Sequence, residues 1–221
     1  MGTLAAPPEN EEDLYLYRGD EGTVARPHMQ GDVFFGGMWA PEAVMLITHP
    51  CSMRAGANLR EQLAVVEIVD YQRLPAGRWA DGHFDLSPLP GLPVTSEHPA
   101  ASFRHIQTVP SGELALDRRV ASLSELGVQL LQQRFVHHLT RVIVDLPTLY
   151  EHSSPVLTEA ELQEEWVEAA LDRGVAQAEA EGAFQAFLGH GEGSLRDALS
   201  NANTRGQVRR AVRKRIRDAE G

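Results

Sequence analysis

The chain has 221 residues, of which 43% are hydrophobic and 23% are charged, a composition typical of a globular protein and unlike that of a disordered or fibrous one. Its single cysteine excludes an internal disulfide, so nothing in the sequence calls for an oxidising compartment. The longest apolar run is 43–47, far below the ~18 residues of a membrane span, and we expect a cytoplasmic protein with no membrane contact.

The net charge of −11 is distributed unevenly along the chain. Residues 202–221 carry seven basic and two acidic side chains, a net charge of +5, which leaves −16 on the residues before them. A strongly acidic surface repels nucleic acid and anionic lipid. We therefore expect any contact with phosphate groups to fall largely on the basic terminal segment.

Short apolar strands are predicted in the first half of the chain. Residues 1–30 form an acidic arm, in which 13–17 is predicted to be a short edge strand. A long crossing rich in Pro and Gly is predicted over 72–101. The other predicted strands, rich in β-branched and aromatic residues, are 32–35, 43–48, 63–71, 103–109 and a short partner at 114–116. Strands that are apolar on both faces indicate a small covered barrel.

Helical periodicity replaces this pattern after residue 121. Ser122 and Glu125 form a capping box, which predicts a helix that runs to about Val144. Thr158 and Glu161 form a second capping box and predict the start of another helix. The predicted class is α+β, with a small barrel and its closing helix over 31–145 and a helical extension over 146–221.

A cluster of reactive residue types follows the strand 43–48. His49 and Cys51 are two residues apart and share a face in an extended segment, and Arg54 adds a positive charge. A nearby cation lowers the pKa of a thiol and favours the nucleophilic thiolate. The pattern allows a catalytic cysteine, but we favour the alternative of a buried Cys51 beside a His49 that caps its own turn.

No metal and no cofactor are predicted. The chain lacks the C-x-x-C, H-E-x-x-H and EF-hand patterns. The pair Arg118–Arg119, together with Arg54 and Arg104, predicts either a phosphate-binding patch or salt bridges to the many acidic neighbours, and we favour the salt bridges.

The basic terminal segment is predicted to be an amphipathic helix. Val208, Val212 and Ile216 recur at i, i+4 and i+8 and form a narrow apolar stripe. The surrounding cations suit a nucleic acid, an acidic protein or the acidic part of this chain itself, whereas the absence of Trp and Phe disfavours a membrane surface. The predicted binding residues are Arg205, Arg209, Arg210, Arg213, Lys214 and Arg217.

The order of these elements resembles the MazF/PemK-like growth-inhibitor toxins over about residues 31–140. The resemblance implies an SH3-like barrel, a dimer and an endoribonuclease activity. The matching segments are Gly31-Asp32-Val33-Phe34, 43–48, 63–69, Ile106-Gln107-Thr108-Val109 and Arg118–Ser124 before a helix.

Two features of the family pattern are replaced in this chain. Ala40-Pro41-Glu42 stands where the family has an Arg-Pro pair, so Pro41 matches and the Arg does not. Val69-Asp70 stands where the family has a Thr or Ser. RNA cleavage needs a base, an acid and stabilisation of the phosphate charge. In this chain the replacement set would be His49 or His105 acting with Arg54 or Arg104.

Three functions follow from these observations. The first is an interaction module in a toxin–antitoxin or defence context, which binds a protein partner, a second copy of itself, or RNA or DNA through the basic segment. The second is an atypical endoribonuclease toxin. The third is a Cys/His-dependent enzyme that uses Cys51.

Overall fold

The computed structural model describes two compact units within residues 3–19, 22–36, 42–55, 58–72, 78–80 and 82–220. The sheet unit comprises Met1–Gly22, His28–Met53 and Leu59–His152. The helical unit comprises Thr23–Pro27, Arg54–Asn58 and Ser153–Gly221. Ala40 and Pro41, which bear on the family resemblance, lie outside the described residues.

The sheet unit contains a seven-stranded antiparallel sheet that curls into a half-barrel. Its strands lie in the order β1-β9-β2-β3-β6-β8-β7. The strands are β1 (Tyr15–Arg18), β2 (Asp32–Phe35), β3 (Ala43–Leu46), β6 (Gln62–Asp70), β7 (Leu86–Pro88), β8 (Pro99–Pro110) and β9 (Arg119–Leu123). Two short strands, β4 (Arg54–Ala55) and β5 (Asn58–Leu59), pair separately. The predicted α+β class is confirmed at this level.

The central strands bury side chains on both faces, as their continuous apolar character predicted. Successive residues of β6, Val65 and Val66, are both fully buried but belong to two different core clusters. Val33 and Phe34 of β2 divide in the same way. Because side chains alternate across a strand, this division requires a packed layer on each side of the sheet.

Helices follow the sheet along the chain. They are α1 (Pro50–Met53), α2 (Glu125–Thr140), α3 (Leu146–Asp172), α4 (Gln177–Leu188), α5 (Leu195–Leu199) and α6 (Ala202–Glu220). Helix α2 covers one face of the sheet with Val128, Leu130 and Leu131. Its first turn is capped by Ser124, whose hydroxyl accepts the N–H of Gly127 at 3.1 Å. The predicted cap, Ser122, is wrong, because this residue lies in β9 and its hydroxyl donates to Asp32.

Two of the predicted helix boundaries are wrong. Helix α2 ends at Thr140 because Arg141 adopts a left-handed conformation with φ of 61°. Asp145 caps the next helix, α3, by accepting the N–H of Thr148 at 2.9 Å. Helix α3 therefore starts at Leu146, and Thr158, the predicted start, lies inside it. Pro147 falls in the first turn of α3, where its missing N–H does not interrupt the helix.

The predicted strand 114–116 is also wrong. Leu114 is fully buried and belongs to the second core cluster, between two short 3-10 turns. The strand of this region is β9, which starts at Arg119 and pairs with β1 and β2. The β1 pairing confirms the edge strand predicted within the arm.

A buried carboxylate joins β2 to β9. Asp32 is fully buried and accepts the N–H of Met29 at 2.8 Å, Nη1 of Arg119 at 2.9 Å and the hydroxyl of Ser122. The preceding Gly31 has a φ of 93°, and a Cβ there would approach Leu123 to 2.9 Å. The backbone turn thus requires Gly31, and the buried ion pair requires Asp32.

Substitution of Asp32 tests this ion pair. Asp32→Asn leaves the guanidinium of Arg119 buried without its carboxylate, and we expect a loss of about 3–5 kcal/mol in the free energy of unfolding. Urea denaturation measures this loss. Asp117→Asn, the same change at an exposed site, serves as the control. Equal losses for the two variants would contradict a structural role of the buried pair.

Candidate functional site

The predicted cysteine site occupies a short turn of the sheet unit. His49 follows β3, and its Nδ1 accepts the backbone N–H of Cys51 at 3.3 Å, as expected for a histidine that caps its own turn. Burial lowers the pKa of His49, which favours its neutral form. Cys51 itself is exposed rather than buried. The nucleophilic role of this cysteine stays a prediction.

His105 was predicted as the alternative to His49, and Arg54 as a residue that would act with either of them. Arg54 is in the helical unit, where burial lowers its pKa and the carboxylates of Glu181 and Glu159 oppose that shift. His105 is on β8, whereas His49 follows β3. Strand β6 lies between β3 and β8 in the sheet. The structure therefore does not place His49 and His105 on adjacent strands.

His105 lies at a bulge in the sheet. Val66 of β6 pairs with Ile106 of β8, but the next residue, Glu67, pairs with Ser102. Residues 103–105 of β8 are therefore extra residues that have no partner on β6 and form the bulge. Nδ1 of His105 lies 2.8 Å from Oε2 of Glu67, and both side chains are partly exposed. A carboxylate at Nδ1 orients the ring and leaves Nε2 as its other nitrogen, the arrangement of an oriented general base. Glu67 was missed because nothing in the sequence marks it as the neighbour of a residue 38 positions away.

Two of the four arginines predicted as a cationic patch or as salt bridges form ion pairs. Arg104 lies beside Asp85, with Nε 2.6 Å from Oδ2. Arg119 is buried against Asp32, as described above. Both contacts agree with the favoured interpretation of these arginines as salt bridges.

Helix α6 is part of the core of the helical unit. Val208 and Val212 are fully buried with Leu162, Phe184 and Leu188, and Ile216 packs against the same cluster. This arrangement confirms that the apolar stripe is a packing surface. It also places the basic side chains of α6 around the rim of that surface.

Part of the positive charge of α6 is neutralised by α3. The guanidinium of Arg213 binds Glu165 through two bonds, with Nε at 2.9 Å from Oε2 and Nη2 at 2.6 Å from Oε1. Arg209 pairs with Glu161 one turn earlier. Arg205 donates to the hydroxyl of Ser154 at 2.6 Å. Three of the six predicted binding residues thus bind side chains within the helical unit.

The other three predicted binding residues form an exposed surface, which we name the basic face. Arg210, Lys214 and Arg217 stand at i, i+4 and i+7 on α6 and share one side of the helix. All three side chains are exposed. Among the described residues, none of the three has a carboxylate within 4.0 Å.

A cavity in the sheet unit was missed by the sequence analysis. It has a volume of about 310 Å³ and lies among the N-terminal arm, the end of β6 and the segments that flank β7. Tyr71, Trp79 and Pro90 form part of its wall, and we name it the Tyr71 cavity. In the sequence, Trp79 and its neighbouring prolines indicated only an irregular segment held against a core.

Buried hydrogen bonds hold the wall of the Tyr71 cavity. The hydroxyl of Tyr71 lies 2.8 Å from Nδ1 of His83, a residue in a left-handed conformation with φ of 54°. Arg134 of α2 donates to the carbonyl oxygens of Leu86, Trp79 and His83 at 2.7, 2.7 and 2.9 Å. Burial lowers the pKa of Arg134 to about 10. This value is still well above neutral pH, so the guanidinium stays charged.

The described residues contain no group of three or more metal-ligating side chains and no helix long and apolar enough to cross a membrane. In comparisons with known proteins, no family model and no curated protein matches the chain. The likeness to MazF/PemK-like toxins therefore depends on the sequence pattern and stays a proposal.

The ion pair between α3 and α6 predicts a pH-dependent contribution to stability. The hydrogen bond from Arg213 holds the pKa of Glu165 below its usual range. A carboxyl with a depressed pKa stabilises the fold above its ordinary pKa of about 4.3 and loses this effect as the pH falls through its folded value.

We therefore expect Arg213→Gln to lower the free energy of unfolding by about 0.5–1 kcal/mol at neutral pH, because the pair is partly exposed. The difference from the original protein should vanish at acidic pH, and the pKa of Glu165, followed by NMR, should rise. Arg215→Gln, on the same helix, is the control. An unchanged pKa of Glu165 in Arg213→Gln would contradict the pairing.

Proposed function

We propose that this protein is an interaction module of the MazF/PemK-like barrel type that binds the phosphate backbone of RNA or DNA through the basic face of α6. The observation that carries the proposal is the division of the charge on α6. Arg209 and Arg213 are neutralised by α3, whereas Arg210, Lys214 and Arg217 remain exposed without a carboxylate among the described residues.

The geometry of the basic face suits a row of phosphates. Seven residues of α-helix separate Arg210 from Arg217, which corresponds to about 10 Å along the axis. The packed apolar stripe and the ion pairs to α3 hold the helix, so its backbone loses little conformational entropy when the cations bind. Guanidinium groups also bind phosphate oxygens through two parallel hydrogen bonds.

The acidic remainder of the chain limits the size of this contact. A charge of −16 outside residues 202–221 repels a polyanion, so the interface is expected to involve few phosphates. If the three cations of the basic face each displace one counterion from duplex DNA, the slope of log K against log salt is about −2.7. Binding of this kind reads the charge of the backbone and no base sequence.

The test is a titration of a fluorescent 20-mer duplex and a single-stranded RNA with the purified protein over several salt concentrations. We expect Arg210→Gln/Lys214→Gln/Arg217→Gln to weaken binding by about a hundredfold at low salt and to remove most of the salt slope. The reason is the loss of the three charges that displace counterions.

Arg60→Gln/Arg78→Gln/Arg118→Gln is the matched control, because it removes the same charge from exposed sites of the sheet unit. Equal losses for the two triple variants would show that net charge, and not the basic face, governs binding. Binding to an acidic peptide with no binding to either nucleic acid would also overturn the proposal.

A second function, an atypical endoribonuclease, is favoured by the contact between His105 and Glu67. In this reaction Nε2 of His105 takes the proton of an RNA 2′-hydroxyl, whose oxygen attacks the adjacent phosphorus. The bond to the 5′-oxygen breaks, that oxygen is protonated by solvent, and a 2′,3′-cyclic phosphate remains. Arg104 was predicted to stabilise the charge on the phosphate, but its guanidinium pairs with Asp85. Stabilisation of the phosphate charge is therefore the weakest part of this reaction.

Incubation with RNA of mixed sequence distinguishes the two functions. For the endoribonuclease we expect 2′,3′-cyclic phosphate ends and a loss of cleavage by about a hundredfold in both His105→Ala and Glu67→Gln, since general-base catalysis contributes about that much. Gln107→Ala, on the same strand, is the control. Intact RNA, or cleavage that His105→Ala leaves unchanged, would exclude this function.

A further inference from the structure

We infer that the Tyr71 cavity of the sheet unit binds an organic cation, a guanidinium or alkylammonium group on an aliphatic stem. This site is separate from the basic face and is independent of the function proposed above. The inference combines three properties of the cavity: its volume, the aromatic and proline side chains of its wall, and the carboxylates at its rim.

The volume defines the size of the ligand. About 310 Å³ is at the lower end of the range for small-molecule pockets. It accommodates one long side chain with the backbone that carries it, or a small linear amine. A helix or a folded loop of a partner does not fit in this volume, so the ligand is a single extended group.

Proline and aromatic side chains form part of the wall of the cavity, beside polar and charged ones. Proline rings from three segments, represented by Pro7, Pro88 and Pro99, line it together with Tyr71 and Trp79. Proline and aromatic rings pack well against a methylene stem, and the face of an aromatic ring attracts a cation electrostatically. The same wall offers little to a strongly hydrated anion.

The charge of the rim selects a cation. Glu9, Glu11 and Glu97 all line the cavity and are exposed to solvent at its rim. No ion pair joins any of them to an Arg, Lys or His within the described part of the chain. The only basic side chain among the described lining residues is His98. A bound cation would supply the positive charge that the rim lacks.

Hydrogen bonds hold two of the described segments that line the cavity. Asp70 accepts the hydroxyl of Ser96 at 2.8 Å and the N–H of His98 at 3.0 Å, which positions the segment that carries Glu97. Arg134 also donates to the carbonyl oxygen of Trp79 at 2.7 Å. A preorganised wall reduces the entropy lost on binding.

The test uses isothermal titration calorimetry of the full chain with three probes. The probes are N-acetyl-arginine methylamide, spermidine, and N-acetyl-citrulline methylamide, a neutral group with nearly the shape of arginine. We expect saturable binding of at least one cation and no binding of the citrulline probe. Tighter binding of the arginine probe indicates a peptide ligand, and tighter binding of spermidine indicates a free polyamine.

Two variants assign the binding to this cavity. Glu9→Gln/Glu11→Gln/Glu97→Gln should weaken cation binding by about tenfold, because three exposed ion pairs are lost. Glu61→Gln/Asp117→Asn/Glu151→Gln removes the same charge from exposed sites away from the cavity and should leave binding unchanged. Tyr71→Leu should weaken binding through the loss of the ring, and circular dichroism verifies that each variant is folded.

Three results would overturn the inference. The first is no binding of either cation, and the second is equal binding of arginine and citrulline probes. The third is equal weakening by the rim variant and by its control, since a general effect of net charge would then explain the binding. None of these results bears on the basic face, whose test uses nucleic acid and other variants.

Discussion

The buried ion pair of Asp32 and Arg119 is the contact on which the sheet unit depends. It joins strands that are 87 residues apart in the chain, and β9 then holds β1 on its other edge. A buried guanidinium without its carboxylate is strongly destabilising, so β2 and β9 have one stable pairing. Through Ser124, which follows β9 and caps α2, the same pairing also determines where the helix begins over the sheet.

Charge is used differently in the two units. In the helical unit, Glu161 and Glu165 of α3 neutralise Arg209 and Arg213 of α6, whereas the cations of the basic face have no carboxylate partner among the described residues. In the sheet unit, the exposed glutamates include Glu9 and Glu97 at the rim of the Tyr71 cavity. The average net charge of the chain therefore hides local surfaces of opposite sign.

Much of the fold could be predicted from local patterns. Continuous apolar runs predicted β2, β3 and β6, because a strand covered on both faces has few polar positions. Helix boundaries were less predictable, since Asp145 and Thr158 both precede suitable helical segments and only the packing of α3 distinguishes them. Of the sites, the cations of α6 were predictable, whereas the contact of His105 with Glu67 and the Tyr71 cavity were not.

The sequence by itself determined the α+β class, the apolar stripe of α6 and the concentration of positive charge on that helix. These features depend on residues that are close along the chain, where periodicity and composition are direct physical signals. Only the tertiary structure decided which cations of α6 are neutralised and which residues line the Tyr71 cavity. Both depend on contacts between residues far apart in the chain, such as Arg213 with Glu165 or Arg134 with Trp79, which no local pattern encodes.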